Sequence, residues 1–204
     1  GIRAINIEEG DELVDVRLVR PSDDVLMLTK NGRAMRFAAT DVRRMGRTAT
    51  GVRGIRLLEG DRVVSFDVVD DAKTLFIATA NGYGKRCEFK DFTRHNRGGQ
   101  GMIGIKGADR NGEVVAAHAV KDDENVISIT SDQQMVRSPV AQFNVQGRMA
   151  QGVKLVRLSE GAVLVSVSVC EGAEGEAPAA ISVDDILGSV PNSETSTTNE
   201  GESK

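Results

Sequence analysis

The sequence has little of what metal-binding, disulfide-linked and membrane-spanning proteins depend on. Its 204 residues include no tryptophan, one tyrosine, two histidines and two cysteines. Cys87 and Cys170 are too few for a disulfide framework and lack metal-ligand spacing, so we expect two inert thiols in a reducing cytoplasm. No apolar run is long enough to span a membrane, and the first residues show no signal-peptide pattern. We therefore expect no membrane partner and no metal site.

Residues suited to catalysis are equally sparse. The sequence contains no Walker loop, nucleophile elbow or metal-binding cluster. His95 lies beside Arg94 and Arg97 and could contact a phosphate, whereas His118 lies in an alternating segment and is expected to be structural. We expect no catalytic residue and no cofactor in this chain.

What the sequence does contain is a repeat of 50 residues. A glycine followed by an apolar residue starts each copy, at Gly1, Gly51, Gly101 and Gly152, and a basic residue comes next in every copy but the third. The pair Thr29…Gly32 returns as Thr79…Gly82, which keeps the same register. A period of this size indicates a solenoid, a propeller or an array.

Within one copy the apolar residues form short runs separated by turn residues, which is typical of β-strands. In the first repeat these runs are 2–7, 13–19, 25–29 and 33–37. Four strands in about 50 residues is the size of one propeller blade. The sequence therefore predicts an all-β, propeller-like fold of four-stranded blades, with a sandwich or a simple array as the alternative.

Asn-Gly pairs between the third and fourth runs predict tight hairpins. Asn31-Gly32 and Asn81-Gly82 fit a type I′ turn, in which both central residues have positive φ. Asp132-Gln133 stands at the third position and predicts a less ideal turn.

The repeats divide the chain into a body and a tail. We predict repeats at about 1–50, 51–100 and 101–151, a partial copy at 152–170, and a disordered acidic tail at 171–204. Because propellers typically have four to eight blades, we expect further blades upstream in a larger protein. Without the tail, 25 basic and 22 acidic residues remain, so the acidic net charge of −4 hides a body of +3.

The basic residues of the body cluster after the third predicted strand of each repeat and through the loop that leads to the next repeat. If register is kept, they form one stripe along an outer rim, while the acidic turns occupy another. The candidate DNA-binding residues are Arg33, Arg36, Arg43, Arg44, Arg47, Arg53, Lys85, Arg86, Lys90, Arg94, Arg97, Arg137, Arg148 and Lys154.

A periodic, one-sided stripe of arginine and lysine fits the phosphates of duplex DNA, since each contact releases counterions. Single-stranded nucleic acid is favoured less, because it is usually bound on exposed aromatic side chains and this chain has few. Two alternatives stay open at this point: ordinary solvated loops, and a propeller that binds another protein.

Several motifs give the repeats a specific resemblance. The segments 51–61, 79–86 (Thr-Ala-Asn-Gly-Tyr-Gly-Lys-Arg), 97–101 (Arg-Gly-Gly-Gln-Gly) and 147–153 resemble the C-terminal domains of DNA gyrase A subunits. The resemblance covers residues 1 to about 170. It implies a six-bladed β-pinwheel whose basic perimeter wraps double-stranded DNA and supports ATP-dependent negative supercoiling. The related chain of topoisomerase IV is the alternative.

The resemblance also implies partners and a location. The holoenzyme would combine two A subunits with two B subunits in the bacterial cytoplasm, at the nucleoid. ATP and Mg²⁺ would be bound by other domains of that type II topoisomerase, and the breakage tyrosine would lie upstream.

One departure from the family limits the expectation. The wrapping heptapeptide Gln-Arg-Arg-Gly-Gly-Lys-Gly is absent, and segment 95–101 resembles a degenerate copy with His95 first and Gln100 in place of the lysine. We therefore expect these blades to guide DNA without wrapping it strongly on their own.

Overall fold

The computed structural model describes residues 1–106 and 108–172, so most of the predicted acidic tail lies outside the described residues. Eleven strands and one short helix, α1 (Ala108–Asn111), occur in the described part of the chain. The strands are β1 (Asp24–Thr29), β2 (Arg33–Ala38), β3 (Val63–Val68), β4 (Thr74–Thr79), β5 (Tyr83–Glu88), β6 (Met102–Ile103), β7 (Val114–Val120), β8 (Asn125–Thr130), β9 (Met135–Pro139), β10 (Val153–Lys154) and β11 (Leu164–Cys170). The predicted all-β, propeller-like class is confirmed.

Each sheet is built around a hairpin, β1–β2, β4–β5 or β8–β9, and a single 3₁₀ turn follows each hairpin. The sheet orders are β3-β1-β2-β6, β10-β5-β4-β7 and β11-β8-β9, and all pairs within them are antiparallel. A blade therefore takes its hairpin from one repeat, a long strand from the next repeat, and a two-residue strand from the repeat after that. The predicted blade size of four strands is right for two sheets, but the strands of one repeat do not form one blade.

This exchange of strands explains a wrong prediction in the first repeat. Although both segments belong to the described residues, no strand is present at 2–7 or 13–19, and Leu18 is 98% exposed. The equivalent segment one repeat later, β3, pairs with the hairpin strand β1 of the preceding repeat. By the same rule, segment 13–19 would pair with a hairpin one repeat earlier than any in this sequence. Apolar alternation identified a segment suited to a strand, but a strand also needs a neighbour.

The hydrophobic core lies between neighbouring sheets. On β4, Leu75 and Ile77 pack with Leu26 and Leu28 of the first sheet, whereas Phe76 packs with Val126 of the third sheet. Because successive side chains of a strand point to opposite faces, one strand serves two cores. This is why residues 75–78 of β4 are all apolar rather than alternating with polar residues.

The 50-residue glycine period has a steric cause. Gly101 and Gly152 have φ of +68° and +84°, which favours glycine. Each lies against the backbone of an outer hairpin strand, where a Cβ would collide with the carbonyl oxygen of Ala34 or Gly84. The glycine thus lets the next short strand, β6 or β10, come close enough to pair with the hairpin.

The hairpin turns differ from the predicted type I′. Gly32 and Gly82 have φ of +77° and +75°, but the preceding asparagines do not have positive φ. The Gly32 amide donates to the Thr29 carbonyl at 2.9 Å, so a turn is followed by one left-handed residue. In the third hairpin Gln133 takes this place with φ of +65°, as the predicted less ideal turn requires.

Candidate nucleic-acid interface

The loops that connect the repeats run along the outer edge of the hairpins. The backbone of Arg94 forms a parallel β-bridge with Arg36 on β2, and that of Val145 forms one with Arg86 on β5. The His95 amide donates to the Arg36 carbonyl at 2.9 Å, and the equivalent Gln146 amide donates to the Arg86 carbonyl at 2.8 Å. Further along, β6 and β10 pair with the same outer strands. The crossing loop and the short strand together form the outer perimeter of the first two blades.

Seven of the candidate residues are exposed. Arg94 lies in the crossing loop beside β2, Lys154 lies on β10 and Lys90 lies in a 3₁₀ turn. The other four lie in the loop that connects the first two repeats: Arg43, Arg44, Arg47 and Arg53. Two of the seven already have acidic partners, since Lys90 pairs with Glu88 and Arg94 pairs with Asp24. The other five form no ion pair within the described residues. Arg56 is exposed next to the crossing loop as well, although the sequence analysis did not select it.

Arg97 and Arg148 are half-buried and brace the crossing loops. Arg97 donates to the Arg53 carbonyl at 3.0 Å and to the Asp41 carbonyl at 2.9 Å. Arg148, at the equivalent position one repeat later, donates to the Ile103 carbonyl at 2.5 Å. Their guanidinium groups therefore fix the backbone that carries the exposed residues.

Arg36 and Arg86 link one blade to the next. Arg36 is half-buried and donates to the Phe89 carbonyl at 3.0 Å. Arg86 is only 4% exposed and donates to the Val140 and Phe143 carbonyls, both at 3.1 Å. These carbonyls belong to the 3₁₀ turns that follow the next hairpin.

The remaining two candidates on β2 and β9 are also partly buried. Arg137, which is equivalent to Arg36, donates to the Glu171 carbonyl at 3.1 Å, while Arg33 lies half-buried at the start of β2. The prediction that Arg36 and Arg86 form part of an exposed basic stripe is therefore wrong, because a charged side chain buried between blades is occupied by the acceptors around it.

Lys85 is fully buried, so its predicted place on the exposed stripe is also wrong. Its ammonium donates to the Arg148 carbonyl, to the Ala150 carbonyl at 3.2 Å and to the Gly147 carbonyl at 3.5 Å. Burial lowers the pKa of Lys85, because removal from water disfavours the charged form. Lys85 therefore shapes the 147–150 loop from beneath.

The expected separation of acidic and basic rims is incomplete. Asp24 accepts from Arg36 at 2.8 Å and from Arg94 at 2.6 Å, and Asp122 pairs with Arg86. These acids lie at the end of the hairpin opposite its turn, where the crossing loop begins. The perimeter is therefore less basic at that end than the sequence suggested.

One aromatic residue contributes a feature that the sequence analysis missed. The Arg110 guanidinium lies over the Tyr83 ring, 4.5 Å from the centroid, and the Lys154 ammonium lies 5.8 Å from the same centroid. Arg110 belongs to α1, where the third repeat is longer than the others: Gly112 follows Gly101 by 11 positions, against nine between Gly51 and Gly60. That irregular spacing was the available signal.

The described residues contain no cluster of histidine, cysteine and acidic side chains suited to a metal ion. His118 is structural, with Nε2 at 2.7 Å from the Val167 carbonyl oxygen, and His95 is exposed. Within the same part of the chain, no helix has the length and apolar character needed to cross a membrane.

Comparison with known proteins gives consistent results. The family model described as DNA gyrase C-terminal domain, beta-propeller, matches residues 1–20, 23–70, 73–121 and 124–171. The DNA gyrase A protein of Halalkalibacterium halodurans is 57% identical over 168 residues, which cover 82% of this chain and 20% of that protein. The chain thus spans about a fifth of the length of the curated relatives it matches.

Solved structures share the fold. A structure of a DNA gyrase A C-terminal domain matches 83% of this chain and 58% of its own chain, with a TM-score of 0.75 and 32% identity. A C-terminal domain of DNA topoisomerase IV matches 82% of this chain and 53% of its own, with a TM-score of 0.77 but 24% identity, which shows the fold alone. With the repeats, the strand exchange and the family match in agreement, this chain belongs to the DNA gyrase C-terminal domain family of β-propellers.

Proposed function

We propose that this chain binds and bends duplex DNA along its outer perimeter, as the C-terminal module of a gyrase A protein. The observation that supports this most is the exposure of five basic residues on the loop between the first two repeats or on β10, without an ion pair among the described residues: Arg43, Arg44, Arg47, Arg53 and Lys154. Contacts to phosphate neutralise charge and release counterions without reading sequence.

In the whole protein this module would present a bent DNA segment to a strand-passage core. That core would be an assembly of two A subunits with two B subunits, and it would use ATP and Mg²⁺ bound elsewhere to introduce negative supercoils in the bacterial cytoplasm, at the nucleoid. In this proposal the chain would supply phosphate contacts and curvature, and its described residues contain no cluster of histidine, cysteine and acidic side chains suited to a metal ion. Bending 20–30 bp by 40–90° costs on the order of 1–6 kcal/mol, so several distributed contacts are required.

The test removes three charges from one exposed loop. In the variant R43A/R44A/R47A we expect weaker binding to duplex DNA, and the slope of log K against log salt should fall by about 2.7, at about 0.9 for each lost phosphate contact. Fluorescence anisotropy with a labelled duplex across a salt series measures both quantities.

The control is R62A/K121A, which removes two exposed charges outside the crossing loops. We expect its salt slope to stay at the wild-type value. Equal slopes for wild type and R43A/R44A/R47A would contradict the perimeter assignment, and salt-insensitive binding by the wild type would instead favour a protein-binding propeller.

A further inference from the structure

Tyr83, the one tyrosine of the chain, gathers basic side chains from two other repeats. It begins β5 in the second repeat, Arg110 comes from the third repeat, and Lys154 lies on β10 at the start of the fourth. Cations are attracted to the face of an aromatic ring within about 6 Å of its centroid, and both distances meet this limit. The ring is thus a common support for two positive charges on the outer perimeter.

The position of Arg110 is fixed by hydrogen bonds from the inserted helix. Its guanidinium donates to the Gln151 carbonyl at 2.8 Å and to the Gly152 carbonyl at 3.1 Å. The neighbouring Asn111 is buried and also donates to the Gln151 carbonyl, at 2.7 Å. Because Gln151 and Gly152 lead directly into β10, the same contacts hold Lys154 in register with Tyr83, its partner on β5.

The charge of this cluster is not balanced within the described residues. Arg110 and Lys154 are both exposed, and neither forms an ion pair there. Their distances to the ring centroid place the two charges at most about 10 Å apart. Two positive charges within this distance both attract an anion that lies near the ring.

Within the described residues, the other blades lack this arrangement. Arg33 and Gln134 stand at the positions equivalent to Tyr83, and the two additional residues of α1 occur in the third repeat only. The cluster is therefore specific to the perimeter of the second blade, so the blades are not equivalent along the DNA path.

We propose that Arg110 and Lys154 form a phosphate-binding site for the backbone of duplex DNA, with Tyr83 as the positioning residue beneath them. This inference rests on the proposed function and adds two residues to it, Tyr83 and Arg110. The guanidinium and ammonium groups contact the phosphate, while the Tyr83 ring lies within cation–π distance of both and limits their movement. The site reads no base sequence, since its donors face the backbone.

The experiment measures duplex affinity across a salt series for the full chain and its variants. K154A should lower the salt slope by about 0.9, as expected for one lost phosphate contact. Y83L should raise Kd about two- to fivefold, because an exposed cation–π contact is lost. Y83F keeps the ring and should restore wild-type affinity, whereas the double variant K154A/Y83L should bind more weakly than K154A alone, because Arg110 also loses the ring.

Lys121→Ala is the matched control, since it removes an exposed lysine in an acidic turn away from this cluster, and we expect no change in slope. If the wild type does not bind duplex DNA, the proposed function itself fails. If the wild type binds but K154A and Y83L bind equally well, the site fails while the proposed function stands. K154A alters an exposed side chain, so it still tests the site if Y83L does not fold.

A titration with inorganic phosphate distinguishes free phosphate from the DNA backbone as the ligand of this site. We expect the NMR shifts of Arg110 and Lys154 to stay unchanged until phosphate reaches millimolar concentration. Duplex DNA should displace the phosphate that binds above this concentration. Tight phosphate binding that duplex DNA does not displace would overturn the assignment to the DNA backbone.

Discussion

The first and second hairpins share a backbone but use it differently. Met35 and Lys85 occupy the same position on β2 and β5, and both are buried beneath the crossing loop. Met35 contacts that loop through its methyl group, which lies 3.1 Å from where a Cβ of Gly99 would be, whereas Lys85 holds the loop by hydrogen bonds to three carbonyls. The repeat thus fixes where a loop is supported, while the individual residue decides how.

The two hairpins also differ at the arginine that follows Met35 or Lys85. Arg36 and Arg86 both reach the 3₁₀ turn of the next blade, but their side chains are 16% and 5% exposed. Asp24, the acidic partner of Arg36, is also paired with Arg94, so the two linkages are expected to differ in strength.

The largest expected effect is on the more deeply buried linkage. R86A should lower the free energy of unfolding by about 3 kcal/mol, because the Val140 and Phe143 carbonyls lose their donor inside the protein. R36A should cost about 1 kcal/mol, since water can reach the vacated acceptors there. Urea unfolding curves of both variants measure the difference, and equal losses would show that the two linkages are equivalent.

A smaller effect is expected when Lys85 of the second hairpin is replaced by methionine, the residue at the same position of the first hairpin. The free energy of unfolding of K85M should remain within about 1 kcal/mol of wild type at pH 7. The variant loses the hydrogen bonds of Lys85, but it also avoids the cost of burying a charged ammonium group. Amide hydrogen exchange in the 147–150 loop should accelerate, since its carbonyls lose their common donor. Unchanged exchange would mean that Lys85 does not order the loop.

The pH dependence of stability gives a second test of the same substitution. The pKa of Lys85 is lowered by burial below its ordinary value of 10.5, so the unfolded chain binds its proton more readily than the folded protein. The stability of wild type relative to K85M should therefore rise as the pH increases toward 10.5. Urea unfolding of both proteins at several pH values tests this, and parallel profiles would contradict it.

The smallest expected effect concerns the closed interior of the second hairpin. Cys87 is fully buried, in the position that Phe37 takes in the first hairpin, and burial raises the pKa of its thiol to about 12. In the variant C170S, Cys87 should not react with a thiol reagent at pH 8 until the protein unfolds, since about one part in ten thousand is thiolate. Reaction at the rate of an exposed thiol would indicate that this blade opens.

The sequence was most informative about the blades and least informative about the surface. The repeat period and the hairpins followed from glycines and apolar runs, because backbone close approach and strand pairing demand particular residues at fixed spacing, and the family followed from motifs that resemble it. Whether an arginine faces solvent could not be read in the same way. Arg86 and Arg44 look alike in sequence, yet only the placement of the next blade shows that Arg86 is enclosed and Arg44 is exposed.

The sequence and the tertiary structure each determined a different part of this protein. The amino-acid sequence determined an all-β repeat whose glycines admit a neighbouring strand, since that constraint is local to the backbone. The exchange of strands between repeats, and the meeting of Tyr83, Arg110 and Lys154, depend on contacts between residues tens of positions apart. Such contacts are set by the packing of one blade on another, which no single segment of the chain specifies.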